Sequence, residues 1–176
     1  ASSIERLVNK GSGALLVRAE VSNQTGTHQL GFARADAKNR YRIDGQPAEG
    51  FSLLAAQVAV QTLLPNASDL VYAGPGERRR FLDWGLFHVK HDHLSVARQY
   101  NRALLQRNAW LKAQRGQTPS WQEDPWVEAV LSYGLSLNKN RSLYVQRLEA
   151  PFRRALASLS EVMELTLSYR WGGLQD

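Results

Sequence analysis

At Pro65 the spacing of the apolar residues changes, and this divides what the chain can fold into. Before it the spacing is two. From Gly13, residues Leu15, Val17, Ala19 and Val21 fall on one face and Leu16, Arg18 and Glu20 on the other, the pattern of a half-buried strand ending at the turn-prone stretch Asn23 to Gly26. Further runs from His28 to Ala35 and from Asn39 to Asp44, joined by Asp36-Ala37-Lys38-Asn39, predict an antiparallel meander over residues 13 to 45. Turn residues through Gly50 close it, a short helix is expected from near Glu49, and Val58 to Leu64 reads as a buried strand stopped by Pro65.

After Pro65 the apolar spacing becomes three and four. Asn66 or Ser68 can cap a short helix ending at Gly74, and Pro75, suited to a first helical position, opens another through about Phe87. A helix over Asp92 to about Arg115 places Ala97, Tyr100, Leu104 and Leu111 on one face and Arg98, Arg102 and Lys112 on the opposite one. After a loop at Gly116 to Glu123, Asp124 caps a long helix with Pro125 at its start and Trp126, Val130, Tyr133, Leu137, Tyr144 and Leu148 along one stripe. Pro151 is expected to kink or break it. Two such helices with a short connection form an antiparallel hairpin, and the alternation Met163, Leu165, Leu167, Tyr169 predicts a last strand returning to the sheet.

The expected fold class is therefore α+β: a sheet portion over 1–65, a helical lobe over 66–160, and a returning strand over 161–176. No apolar run nears the length of about 20 residues that spans a bilayer, and no signal-peptide pattern opens the chain, so a soluble, cytoplasmic protein is expected. The absence of cysteine excludes disulfides, thiolate metal sites and cysteine nucleophiles. Net charge is +6, concentrated centrally: residues 66–116 hold nine Lys and Arg against four Asp and Glu, whereas residues 117–176 hold six against seven. Such a balance points to an acidic partner or to a solvated helix face.

No catalytic centre is legible. Gly11-Ser12-Gly13 lacks the Lys-Ser/Thr ending of a phosphate loop and reads as a turn. Leu131-Ser132-Tyr133-Gly134-Leu135 imitates an ABC-type LSxGQ signature, but Leu replaces Gln and the segment falls within an expected helix. His88, His91 and His93 have no common metal-ligand spacing and are expected as exposed histidines between helices. Arg78, Arg79 and Arg80 are different, because three cations at a helix start oppose its dipole and seek acidic partners. Arg79 can reach Asp83 at i+4 and Arg80 at i+3; a remaining guanidinium can tie the helix to its neighbours or take a phosphate.

The spaced set Pro65, Leu70, Val71, Gly74, Pro75, Arg78, Arg79, Phe81, Leu82, Asp83 and Trp84 resembles a signature of RecF proteins, with Asn66 and Ala73 as departures from its usual acidic residue and second glycine. Arg42-Ile43-Asp44-Gly45 and Leu105-Gln106-Arg107-Asn108-Ala109 resemble two further segments of the same family, in order along the chain. The resemblance implies an SMC- and Rad50-head-like ATPase that uses ATP and Mg, dimerises, and serves DNA replication, recombination, repair and the SOS response. It further implies binding to gapped or junction DNA and support of RecA loading with RecO and RecR. The chain would be an internal piece without Walker A, signature or Walker B segments, hence no enzyme and no cofactor of its own; its start at Ala1 rather than Met fits that. Arg78, Arg79, Arg80, Arg98, Arg102 and Lys112 are then candidates for DNA or an interface. The competing expectation is an adaptor whose helical hairpin binds a protein partner.

Overall fold

A computed structural model describes residues 4–9, 11–23, 26–62, 68–114, 120–159 and 165–171. The chain divides into two compact units, Ala1–Leu64 and Pro65–Asp176.

In the first unit a 3-10 turn at Ile4–Leu7 precedes strands β1 (Ala14–Asn23), β2 (Gly26–Ala35), β3 (Lys38–Ile43) and β4 (Gln46–Ala48), which form one antiparallel sheet in chain order. Both described connections are two-residue turns with positive φ at each central residue: 50° and 58° at Asp36 and Ala37, 51° and 79° at Asp44 and Gly45. That geometry matches the twist of the flanking strands. Glycine adopts it without cost, whereas the Cβ of Ala37 makes it unfavourable by about 1–2 kcal/mol. The meander expected over 13–45 is therefore present, and a fourth strand extends it where only turn residues were expected. Gln46 and Ala48 pair with Ile43 and Tyr41, and Pro47 is tolerated because β4 ends the sheet.

Helix α1 (Phe51–Gln57) packs on β3 and β4. Its buried Leu54 and Ala55 join Leu30 of β2 as the core of this unit, beside a stack of Phe32 on Tyr41 with ring centroids 5.6 Å apart and Phe51 6.3 Å from Tyr41. The buried strand expected over Val58 to Leu64 does not form. Residues 58–62 have no strand pairing and Val60 is exposed, while Leu63 and Leu64 lie outside the described residues. An apolar run becomes a strand only where a neighbour can take its amides, and the described sheet pairs only consecutive strands.

The second unit is helical: α2 (Asp69–Tyr72), α3 (Pro75–Val89), α4 (His93–Ala113) and α5 (Val127–Leu159). Pro75 starts α3 in the first turn, where its missing N–H leaves no bond unmade. Between α4 and α5, His93 meets Asn140, Tyr100 meets Gly134 and Arg107 meets Asp124, so the two helices run antiparallel, as the hairpin pattern predicts. Between α3 and α5, Asp83 meets Arg141 and Gly85 meets Tyr144, so these two run in the same direction. Leu86, Ala103, Leu137 and Val145 are buried among the three helices. The LSxGQ-like segment lies within α5, with Gly134 beneath the ring of Tyr100.

One expectation is narrowed here and another fails. Pro151 does not break α5, which continues through it to Leu159; a proline inside a helix removes one backbone donor. The returning strand is absent from residues 165–171, which are in neither helix nor strand, and residues 160–164, with Met163, and 172–176 lie outside the described residues. Its period-two pattern survives only in part: Leu167 and Tyr169 are half-buried and Thr166, Ser168 and Arg170 exposed, but Leu165 of the apolar set is exposed as well. Residues 167–171 line a cleft of the helical unit and have no strand partner.

Candidate functional site

Asp83 is the centre of the helical unit. Its carboxylate accepts two hydrogen bonds from Arg141, from Nε to Oδ1 and from Nη2 to Oδ2, both 2.8 Å, and one of 3.2 Å from His93 Nε2. His93 is almost fully buried, and its Nδ1 accepts from the side-chain amide of Asn140 at 3.4 Å, so both ring nitrogens are engaged when the proton sits on Nε2. Burial pushes the Asp83 carboxyl up, but the bonds from His93 and Arg141 outweigh it and hold the carboxyl below its ordinary value. Burial likewise works against the Arg141 cation, and Asp83, aided by Tyr169, more than offsets it.

This knot corrects two expectations. Asp83 pairs with neither Arg79 nor Arg80, because it faces α5, where a bidentate guanidinium in partial burial is a stronger partner than an exposed i+3 or i+4 neighbour. His93 is not exposed, and His88 is half-buried, edge-on to Trp84 and Phe87; only His91 is exposed. Asn140 and Arg141, which complete the knot, were not anticipated from the sequence. The signal existed, since Arg141 lies four residues after Leu137 and three before Tyr144, a cation within an apolar stripe, and such a residue needs a buried partner.

The three arginines of α3 part company. Arg78 Nη1 donates to the carbonyls of Ala73 at 3.0 Å, Val71 at 3.2 Å and Leu70 at 3.5 Å, closing the C-terminal end of α2. Arg80 pairs with Glu77 at 2.9 Å in the open. Arg79 is exposed and, among the described residues, makes no ion pair or hydrogen bond. Gly74 and Pro75 set the start of α3, Leu82 is half-buried, Phe81 is exposed, and Trp84 stacks on Phe87 with centroids 5.8 Å apart. Pro65 lies outside the described residues.

The other two family-like segments also serve the fold. Asp44 accepts from the backbone N–H of Gln29 at 2.7 Å and from His28 Nδ1 at 2.8 Å, fixing the β3–β4 turn to β2, and the His28 bond lowers its carboxyl pKa. Arg107 donates through Nε to buried Asp124, whose other oxygen accepts the N–H of Trp126 at 2.9 Å ahead of α5. Burial raises the Asp124 carboxyl, and the Arg107 bond with those from the chain behind it more than reverses this.

Arg98, Arg102 and Lys112 remain. All three are exposed on the face of α4 turned away from Ala103, and among the described residues no ion pair or hydrogen bond engages them. Such a row of unspent cations can take phosphates. No set of three metal-ligating side chains gathers among the described residues, and no helix there is long and apolar enough to cross a membrane.

ATP finds no fitting cradle in Gly11-Ser12-Gly13. The Ser12 hydroxyl bonds to the carbonyls of Asn9 and Ala14, and the turn leads into strand β1 rather than into a helix whose amides could face phosphates.

No protein-family model matches the chain. Curated relatives do. A DNA replication and repair protein RecF of Stenotrophomonas maltophilia is 37% identical over 174 residues, 93% of this chain and 47% of the relative. That of Xanthomonas euvesicatoria is 36% identical over 94% of this chain and 46% of its own, and that of Pseudomonas entomophila 34% identical over 86% and 41%. Two solved structures share the fold at 20% identity and cover 90% of this chain: RecF-ATP, the recombination mediator protein of the RecFOR pathway, with a TM-score of 0.75, and RecF-ATPrS with 0.76. The chain thus shares its fold with these structures and its sequence with RecF proteins. The chain belongs to the RecF family, and it spans about half the length of the curated relatives it matches.

Proposed function

We propose that this chain is the helical lobe and adjoining sheet portion of a RecF-type recombination mediator, and that it binds DNA at single-strand gaps without hydrolysing ATP itself. The observation that carries the reading is the row Arg98, Arg102 and Lys112 on α4, whose charges no described residue takes up. Sequence likeness to RecF proteins supports it. In the whole protein, ATP with Mg and homodimerisation belong to the assembled ATPase, RecO and RecR are the protein partners in loading RecA, and the work is cytoplasmic.

The test is binding of gapped duplex DNA to the purified chain across a salt series. Phosphate contacts give an affinity that falls steeply as salt rises, with a slope of about one per phosphate engaged. A second reading, an adaptor for a protein partner, has one observation of its own: Leu105, Leu131 and Leu135 stand exposed on the hairpin. Absence of DNA binding even at low salt favours the adaptor.

A further inference from the structure

Besides the cationic row on α4, the helical unit holds a cleft of about 1070 Å3 bounded by the start of α3, the middle of α4 and α5, and residues 167–171. Its volume slightly exceeds the usual range of small-ligand sites, about 300–1,000 Å3, so it has room for more than one flat ring. Arg79 and Arg170 stand exposed among its lining residues, as do Phe81 at 41% and Trp171 at 46%. The carboxylate in that lining, Asp83, is already engaged by Arg141 and His93, so nothing described there neutralises the two free guanidiniums.

We infer that this cleft seats unpaired bases of single-stranded DNA, with Trp171 and Phe81 as stacking platforms and Arg79 and Arg170 on the adjoining phosphates. A surface serving only phosphates has no use for exposed indole and phenyl rings, whereas single-strand sites combine both, since each base offers a π-face whatever its sequence. A duplex hides those faces. The inference rests on the DNA-binding reading above and deepens it: the α4 row meets backbone of either form, and the cleft distinguishes the unpaired strand of a gap.

The experiment compares an oligothymidylate with a blunt hairpin duplex of equal charge, using the full chain, Trp171→Ala and Trp171→Phe, with circular dichroism to establish that each variant is folded. The expected result is a loss of oligothymidylate affinity of about fivefold or more in Trp171→Ala, substantial recovery in Trp171→Phe, and a change of less than about twofold for the duplex. An unchanged oligothymidylate affinity in Trp171→Ala overturns the inference, as does an equal loss for both ligands. If the unaltered chain binds the duplex but not oligothymidylate, the cleft assignment fails and the DNA-binding reading stands. If it binds neither at low salt, both fail.

Discussion

The Asp83 knot and the outer row of α4 both hold basic side chains and put them to opposite uses. Around Asp83, one carboxylate, one guanidinium, one imidazole and one amide satisfy one another where three helices meet, and their charge is spent on the fold. Along α4, Arg98, Arg102 and Lys112 reach into solvent with no described partner, and their charge is available to something else. What separates the two groups is burial. A charge out of water must be paired or it destabilises strongly, whereas an exposed one contributes little to stability either way. A family-like motif therefore does not by itself mark a binding residue: Asp83, Arg78, Asp44 and Arg107 all lie in such segments and all hold the fold.

The largest effect should come from opening the knot. Asp83→Ala leaves Arg141 half-buried without its counter-ion and His93 without an acceptor, at a cost of about 3 kcal/mol in chemical denaturation. A loss below about 1 kcal/mol would mean that the knot is ornamental and that the contrast with α4 is false. Acid sharpens the point. The Asp83 carboxyl is held below its ordinary value, so its contribution is full above about pH 3.9 and is lost as pH falls through the lower, folded value. Asp44 and Asp124 share that sign, so the informative quantity is the difference between wild type and Asp83→Asn. The variant should have the shallower acid limb.

How much of this was legible depends on the separation of the residues involved. Asp44-Gly45 announces its turn because the required backbone angles are local, and Gly74-Pro75 announces a helix start for the same reason. The pairing of Asp83 with Arg141 was illegible because the two are far apart in sequence, and a nearby arginine at i+3 or i+4 looked a sufficient partner. The strands expected over 58–64 and 161–176 failed, in their described parts 58–62 and 165–171, for a related reason. Alternation or apolarity makes a segment fit for a sheet, but a strand also needs an edge to pair with, which no local pattern encodes. Of the six candidate cations, sequence placed Arg98, Arg102 and Lys112 on the outer face of α4, where they are exposed, but could not separate Arg78, committed to the end of α2, from its free neighbour Arg79.

A smaller effect tests how tightly the inner region is assembled. The Tyr144 hydroxyl lies 2.1 Å from where a Cβ on Gly85 would stand, so Gly85→Ala forces the ring aside and should cost about 1–3 kcal/mol despite the better helix propensity of alanine. Burial also raises the pKa of Tyr144, which fits a ring held between α3 and α5. The double variant Gly85→Ala with Tyr144→Ala should lose less than the two single changes added together, because the second removes what the first strikes. Additive losses would place the cost in α3 alone.

The smallest effect on stability, and the most informative about function, belongs to the outer row. Arg98→Ala with Arg102→Ala should move the unfolding free energy by no more than about 0.5 kcal/mol, since no described bond is lost and alanine favours the helix. The same change should lower the affinity for gapped DNA and reduce the dependence of log Kd on log salt by about two, one for each phosphate contact removed. A stability loss comparable to that of Asp83→Ala would show that the row is spent on the fold after all. An unchanged affinity and salt slope in a folded variant would return Arg98 and Arg102 to the status of solvated surface and shift the search for phosphate contacts to other exposed cations, Arg79, Arg170 and Lys112 first.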